Sequence, residues 1–417
     1  MTESTSVPTA NLGEQFMPVA GEHLHDPYPF FQRARREQPV FFSPVFHMWF
    51  VTRYQDVMTV LADPRTYSSR DTIPTHPEMA PEVREALAGY RNPKHLINAD
   101  PPDHTRMRSL MNHAFTPRRV GALEPAVRDI ANGLVDGFID RGRVDLMDEF
   151  AYPLPLTVIL RMIGVPPEDM DSCRRWSNSI SEWAWGQQVL PVERLAVCAR
   201  GMVEFMHYTG ALVERRRSDP QDDLISHLLA AREDGVEPLS PDALVDIIPG
   251  LILAGHETTA NLIGNTILLL LRHPAQWEEV RADPAAVERA VEEGLRMDAS
   301  VTGMPRTATR DVELGGVQIP AGSMLFLLYG SANHDDAHFR HPESFDIDRG
   351  KDSSHLAFGR GIHYCIGAPL GRLEARVAIE LLAGRLPGLR LDPEQDFARK
   401  PNLLFRGLAR LLVTWGA

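Results

Sequence analysis

Cysteine is scarce: the 417 residues hold three, at positions 173, 198 and 365. An odd and sparse set makes no disulfide framework, which points to a reducing compartment. Positive charge is also in deficit. Lys and Arg number 43 against 56 Asp and Glu, a formal net charge of −13, and this argues against the basic stripe that a nucleic-acid surface needs. The first thirty residues contain no basic segment followed by an apolar run, so neither a signal peptide nor an anchor is read there. The most apolar stretch, Ile247 to Leu271, is interrupted by Pro249, His256 and Glu257 and falls short of a clean membrane span. Low-complexity tracts and internal repeats are missing as well. The absences together predict a soluble, cytoplasmic protein with no nucleic-acid or membrane partner.

What is present is a globular composition, 43% apolar and 24% charged, at a length that by itself suggests two or three domains. Residues 1–20 are small and polar and read as a loosely ordered arm. PVFFSP and MWFVTR, near 39–53, carry the aromatic and β-branched residues of two short strands, and YQDVMTVLADP reads as a helix. Pro74, Pro77, Pro81 and Pro93 predict an irregular loop over 67–98. From about 101 to 235 the spacing is helical almost throughout. Ser240-Pro241-Asp242 is a helix start with a hydroxyl cap and proline in the first turn. The helix it opens runs roughly thirty residues, to Leu271. Asp283-Pro284 opens another, through Met297. After 310, short strands and turns take over, with a helix after Cys365 and two late strands near 389–414. No linker divides the chain, so the expected class is mainly α with a small β portion, in one mass.

The densest signal is HLAFGRGIHYCIG. Phe358, Gly361, Cys365 and Gly367 match F-x-x-G-x-x-x-C-x-G, and the chain thereby resembles the cytochrome P-450 family, whose haem-binding loop has this form. A lone cysteine in a glycine-rich turn is ordinarily structural; four positions matched in order ahead of a helix are far more specific. A thiolate on haem iron pushes electron density onto the metal and favours O–O cleavage, the use for which this ligand is known. Backbone N–H groups of a tight loop satisfy such a sulfur without adding a proton-bearing side chain, and Gly361 and Gly367 let the backbone turn and approach the macrocycle. The resemblance extends from about residue 25 to 415. It implies one haem domain over 21–417 with the triangular P-450 fold. Heme b would be buried between the long distal helix and the helix after the Cys loop, with the Cys365 thiolate as its metal ligand. Cys173 and Cys198 match nothing in that pattern and are read as structural.

Other segments fall where the resemblance places them. Glu293 and Arg296 fit E-x-x-R about seventy residues before the cysteine, at an i, i+3 spacing that puts both charges on one face. Arg349, in HPESFDIDR, would complete a buried ion-pair network with them. Ala254-Gly255-His256-Glu257-Thr258 resembles the segment that crosses the distal haem face. There Gly255 would let the helix loosen, Thr258 would hydrogen-bond at that face, and Glu257 would relay protons from solvent. Pro249, one turn earlier, removes an N–H and should kink this helix. The two haem propionates need donors, for which the resemblance offers His104, Arg108, Arg306 and His355, with His363 as a further candidate.

The implied reaction is reductive activation of dioxygen and insertion of one oxygen atom into a small organic substrate, by hydroxylation, epoxidation or dealkylation. The chain ends at LLVTWGA without a flavin or iron–sulfur module. Ferredoxin and ferredoxin reductase, or a reductase fused in a longer natural chain, are therefore the expected electron donors. Arg106, Arg360, Arg372 and Arg376 flank the proximal side and offer a docking patch, against the plainer reading of solvated arginines. The substrate pocket of the family would draw on the 67–98 loop, Trp176, Trp183 and Trp185, the Leu251–Thr258 helix, Val301, Met304, Leu404 and Phe405, which suggest an apolar cavity. Two rival classes remain at this level, a peroxide-driven peroxygenase and a non-catalytic haem sensor. The Glu257–Thr258 pair disfavours both.

Overall fold

The computed structural model describes residues 11–72, 79–88, 90, 96–186, 190–349 and 354–416, with side chains at 184–186 outside that description. Helices dominate, and the two that organise the centre start where local chemistry dictates. Pro241–Arg272 is a 32-residue helix. The Ser240 hydroxyl accepts from the Ala243 N–H at 3.1 Å, satisfying one of the first-turn donors that have no intrahelical partner. Pro249 lies inside this helix without interrupting it. Pro284–Met297 is capped by the Asp283 carboxylate, which accepts from the Ala285 N–H at 2.9 Å. The helix after the cysteine loop is Ala368–Arg385.

The β portion is a five-stranded sheet in the spatial order Val40–Ser43, Met48–Val51, Met324–Leu328, Gly303–Ala308, Tyr67–Ser68. The first pair is the antiparallel hairpin expected from PVFFSP and MWFVTR. Met48–Val51 then runs parallel to Met324–Leu328, with Trp49 opposite Leu325, and Arg306 faces Leu325 from the other side. A three-stranded sheet joins the late strands Leu412–Thr414 and Arg390–Leu391 to Arg143–Asp145. That last strand interrupts the region read as helical almost throughout. It is only 3 residues long, too short to leave an alternating pattern, and its partners lie at the other end of the chain.

Two large apolar clusters share the long helix. Its first half, from Leu244 to Ile252, packs with Leu156 to Ile163, Met107 and Leu110. Its second half, from Leu262 to Leu270, packs with Val287, Leu295, Leu370 and Ile379. Between those halves the helix is less covered: Ala254 is exposed, and Leu253, Gly255 and Thr258 are half-buried. Residues 11–20 are not the loose arm expected of them. Leu12 and Phe16 are buried, and Phe16 stacks on Phe30 at 4.8 Å and meets the edge of Phe50 at 5.0 Å. Two apolar side chains one helical turn apart suffice to dock the segment; residues 1–10 lie outside the described chain. Among the described residues no helix is long and apolar enough to cross a membrane.

Candidate active site

The cysteine loop is held by its own backbone. Cys365 donates its N–H to the Phe358 carbonyl at 3.0 Å. Gly361 has φ +71°, and a Cβ there would lie 2.5 Å from the Leu61 carbonyl oxygen, so the loop tolerates only glycine at that point. Sγ of Cys365 faces the N–H groups of Gly367 and Ala368. Burial pushes the thiol up, while the Gly367 N–H, Arg108, Arg372 and the Ala368 N–H oppose that rise. A half-buried sulfur facing backbone donors and two arginines suits a thiolate bound to a metal. The helix after it meets the long helix closely: a Cβ on Gly371 would stand 3.6 Å from Thr259 Oγ1. The crossing thus falls one residue past Thr258 and six past Cys365.

Beside the loop the structure gathers four cationic or donor groups. The His104 and His363 rings lie 4.2 Å apart. His363 is pushed down to about 3 by burial first, then by Arg306, His104 and Arg108. His104 is lowered by burial and Arg108, and both of its ring nitrogens are buried without a partner. Neither Arg108 nor Arg306 pairs with a carboxylate among the described residues; they donate to Asn112 Oδ1 at 3.1 Å and to the Pro305 carbonyl at 2.6 Å. Positive groups crowded together with no anion repel one another. An anionic ligand removes that cost, and the two propionates of haem fit the donor set. His355 is committed elsewhere. Its Nδ1 accepts from the Ala357 N–H at 3.2 Å, so its Nε2 donates to Glu292, also at 3.2 Å.

On the long helix, Glu257 and Thr258 are not bonded to each other; neighbouring residues project about 100° apart around the axis. The Thr258 hydroxyl donates to the Ala254 carbonyl at 2.6 Å, which leaves its oxygen free to accept. The buried Glu257 carboxylate turns the other way. It accepts from Tyr152 Oη at 3.0 Å and from Asn261 Nδ2 at 3.5 Å, with Lys400 Nζ 3.9 Å off. Lys400 in turn donates to Tyr152 Oη and keeps 43% of its side chain in solvent. Tyr152, Asn261 and Lys400 were missed by sequence reasoning. Tyr152 stands 105 residues from Glu257, and no local pattern links them. His256 is buried with both ring nitrogens unpartnered and is pushed down to about 4 by burial and by Lys400. At Gly255 a Cβ would make only ordinary contact, 3.7 Å from Ile159, so protein packing does not demand glycine there.

The ion-pair network is assembled in full. Arg296, wholly buried, donates to Glu293 at 2.7 and 2.8 Å, and Arg349 Nε adds contacts of 3.1 and 3.2 Å. Val301 pairs with Phe405 across an isolated bridge, and the Thr302 N–H donates to the Leu404 carbonyl at 2.8 Å. Val301, Leu404 and Phe405 are therefore neighbours, with Met304 three residues along the chain from Val301, and all four are half-buried. Trp176 packs between helices against Phe205 and Tyr208, its indole N–H donating to Glu204 at 2.7 Å; Trp183 joins the apolar clusters, and the Trp185 side chain lies outside the described residues. The four arginines of the supposed docking patch do not stand free together. Arg372 pairs with Glu292, Arg376 with Glu124 and Glu380, and Arg106 donates to the Glu237 carbonyl, while Arg360 is exposed.

A mainly helical frame that carries a half-buried cysteine facing backbone donors, an anion-seeking cluster beside it and a partly exposed stretch of long helix across from it has the parts of a haem-thiolate protein. The Cytochrome P450 family profile matches residues 188–385. The chain is 40% identical to the vitamin D(3) 25-hydroxylase of Pseudonocardia autotrophica over 97% of both proteins. It is 38% identical to the 6-deoxyerythronolide B hydroxylase of Saccharopolyspora erythraea, over 93% of this chain and 96% of that protein. Its backbone superposes on the Tepidiphilus thermophilus P450 heme domain with a TM-score of 0.91, at 35% identity and 97% coverage of both. The chain belongs to the cytochrome P450 family. It is a haem-thiolate monooxygenase, binding heme b through the Cys365 thiolate and inserting one oxygen atom from dioxygen into a small organic substrate.

Proposed function

We propose that this monooxygenase acts on a small organic, largely apolar substrate, in the cytoplasm, with electrons delivered by a ferredoxin and ferredoxin reductase or by a reductase fused in a longer natural chain. The half-buried apolar group of Val301, Met304, Leu404 and Phe405, brought together from two distant segments, carries the substrate reading. The two hydroxylase relatives, named for vitamin D(3) and for 6-deoxyerythronolide B, support it. The haem, when bound, supplies the reductive activation of dioxygen. The chain's own groups do the rest. His104, Arg108 and Arg306 would hold the propionates; Thr258 would accept a hydrogen bond at the distal face; the Glu257 carboxylate would relay protons from Lys400 through Tyr152. Residues 21–417 work as one haem domain, a reading supported by the long helix contributing to both large cores.

The test supplies purified protein with a panel of steroid-like and macrocyclic compounds, ferredoxin, reductase, NADPH and isotopically labelled dioxygen. One labelled oxygen per product, dependent on ferredoxin, is the predicted result. Equal product from hydrogen peroxide alone would mean a peroxygenase, and no turnover across the panel would refute the substrate class.

A further inference from the structure

Arg372 lies seven residues after Cys365, in the helix that follows the loop. Its Nε and Nη2 donate to the two carboxylate oxygens of Glu292 at 2.6 and 3.0 Å, a two-point contact. Its Nη1 donates to Tyr364 Oη at 3.2 Å. These bonds hold the guanidinium centre 4.6 Å from the centroid of the Phe358 ring, and Phe358 is the residue whose carbonyl accepts the Cys365 N–H. Both members of the pair are about one-third exposed, at 34 and 35%, so one side of it borders the protein interior. Glu292 takes a further bond, from His355 Nε2 at 3.2 Å. Arg372, like Arg108, opposes the rise that burial imposes on the Cys365 thiol.

We infer that Arg372, fixed by Glu292 against the Phe358 ring, tunes the reduction potential of the haem iron by setting a positive charge beside its thiolate ligand. The inference rests on Cys365 holding the haem. A nearby positive charge stabilises the reduced centre, which carries one more electron, over the oxidised one. Glu292 both positions that charge and tempers it. Arg372→Gln leaves Glu292 as an unbalanced negative charge, and reduction becomes harder. Glu292→Gln leaves Arg372 untempered, and reduction becomes easier. Both substitutions break the same contact, so a purely structural role would move the potential the same way in each.

The experiment is a spectroelectrochemical titration of the ferric–ferrous midpoint in the haem-loaded parent, Arg372→Gln, Arg372→Lys, Glu292→Gln and the Glu292→Gln/Arg372→Gln pair. Opposite shifts for the two single Gln variants are expected, each about tenfold in the reduction equilibrium, or about 59 mV for a one-electron couple. The double variant should fall below the parent, but by less than Arg372→Gln alone, and Arg372→Lys should stay near the parent. Shifts of one sign, or none, overturn the inference. If Arg372→Gln loads no haem, a Glu292→Gln potential that fails to rise overturns it equally. A parent whose ferrous–CO band is not that of a thiolate complex would instead overturn the assignment of Cys365.

Discussion

Glu293→Ala should cost more than any other single truncation outside the cysteine loop. The carboxylate accepts from Arg296 Nε and Nη2 at 2.8 and 2.7 Å, from Arg349 Nε at 3.1 Å and from the Asp346 N–H at 3.1 Å. Arg296 is 0% exposed and cannot exchange its lost partner for water. It keeps the carbonyls of Asn333, Pro342 and Ser344 at 3.0, 2.8 and 3.0 Å, which satisfy its geometry but not its charge. Removing one partner of a buried pair costs about 3–5 kcal/mol, a large part of a total stability of about 5–15 kcal/mol. An unfolding entropy of about 2.1 cal/mol/K per residue makes 1 kcal/mol worth about 1 °C at this length. Thermal unfolding of haem-loaded Glu293→Ala should therefore start about 3–6 °C lower, with a reduced haem content per protein. Glu293→Gln keeps the acceptor and should lose about half as much. Parent-like melting and full haem content in Glu293→Ala would show that the network carries no net stability.

His256 gives a pH dependence of known sign. Its pKa falls from 6.5 to about 4 on folding. The stability it contributes is complete above pH 6.5 and is lost as pH falls towards 4, at up to about 1.4 kcal/mol per unit. Urea unfolding between pH 7 and 4.5 should slope less in His256→Leu, and parallel curves would refute this. Tyr152→Phe and Lys400→Met should lower the product formed per NADPH several-fold while leaving substrate binding, read from the spin-state shift, unchanged; unchanged coupling in both would remove them from proton supply. Arg108→Gln and Arg306→Gln should each release haem to an apoprotein scavenger about 10–100-fold faster, at about 1.5–3 kcal/mol per charged hydrogen bond. Parent-like release would place the propionates elsewhere.

The sequence showed its local chemistry well. Ser240 and Asp283 cap helices because a side-chain oxygen reaches an N–H within three residues, and the spacing of Glu293 and Arg296 on one face required no tertiary knowledge. The four-residue signature around Cys365 placed the ligand, and Gly361 meets the Leu61 carbonyl as closely as such a turn demands. What stayed hidden depends on distant segments meeting. Lys400 and Tyr152 are 248 residues apart, and Arg372 and Glu292 are 80 apart. The arm was misjudged because polar composition outweighed two residues, Leu12 and Phe16, that find an aromatic cluster. His355 looked like a propionate contact by position, yet its ring serves Glu292.

The central claim is that Cys365 holds haem as a thiolate, and reduction with dithionite under carbon monoxide tests it most directly. The account predicts the strongly red-shifted Soret band of a thiolate–haem–CO complex in the parent, and its loss in Cys365→Ala. A band at the position of histidine- or thiol-ligated haem in the parent, or a thiolate band that survives Cys365→Ala, would contradict it.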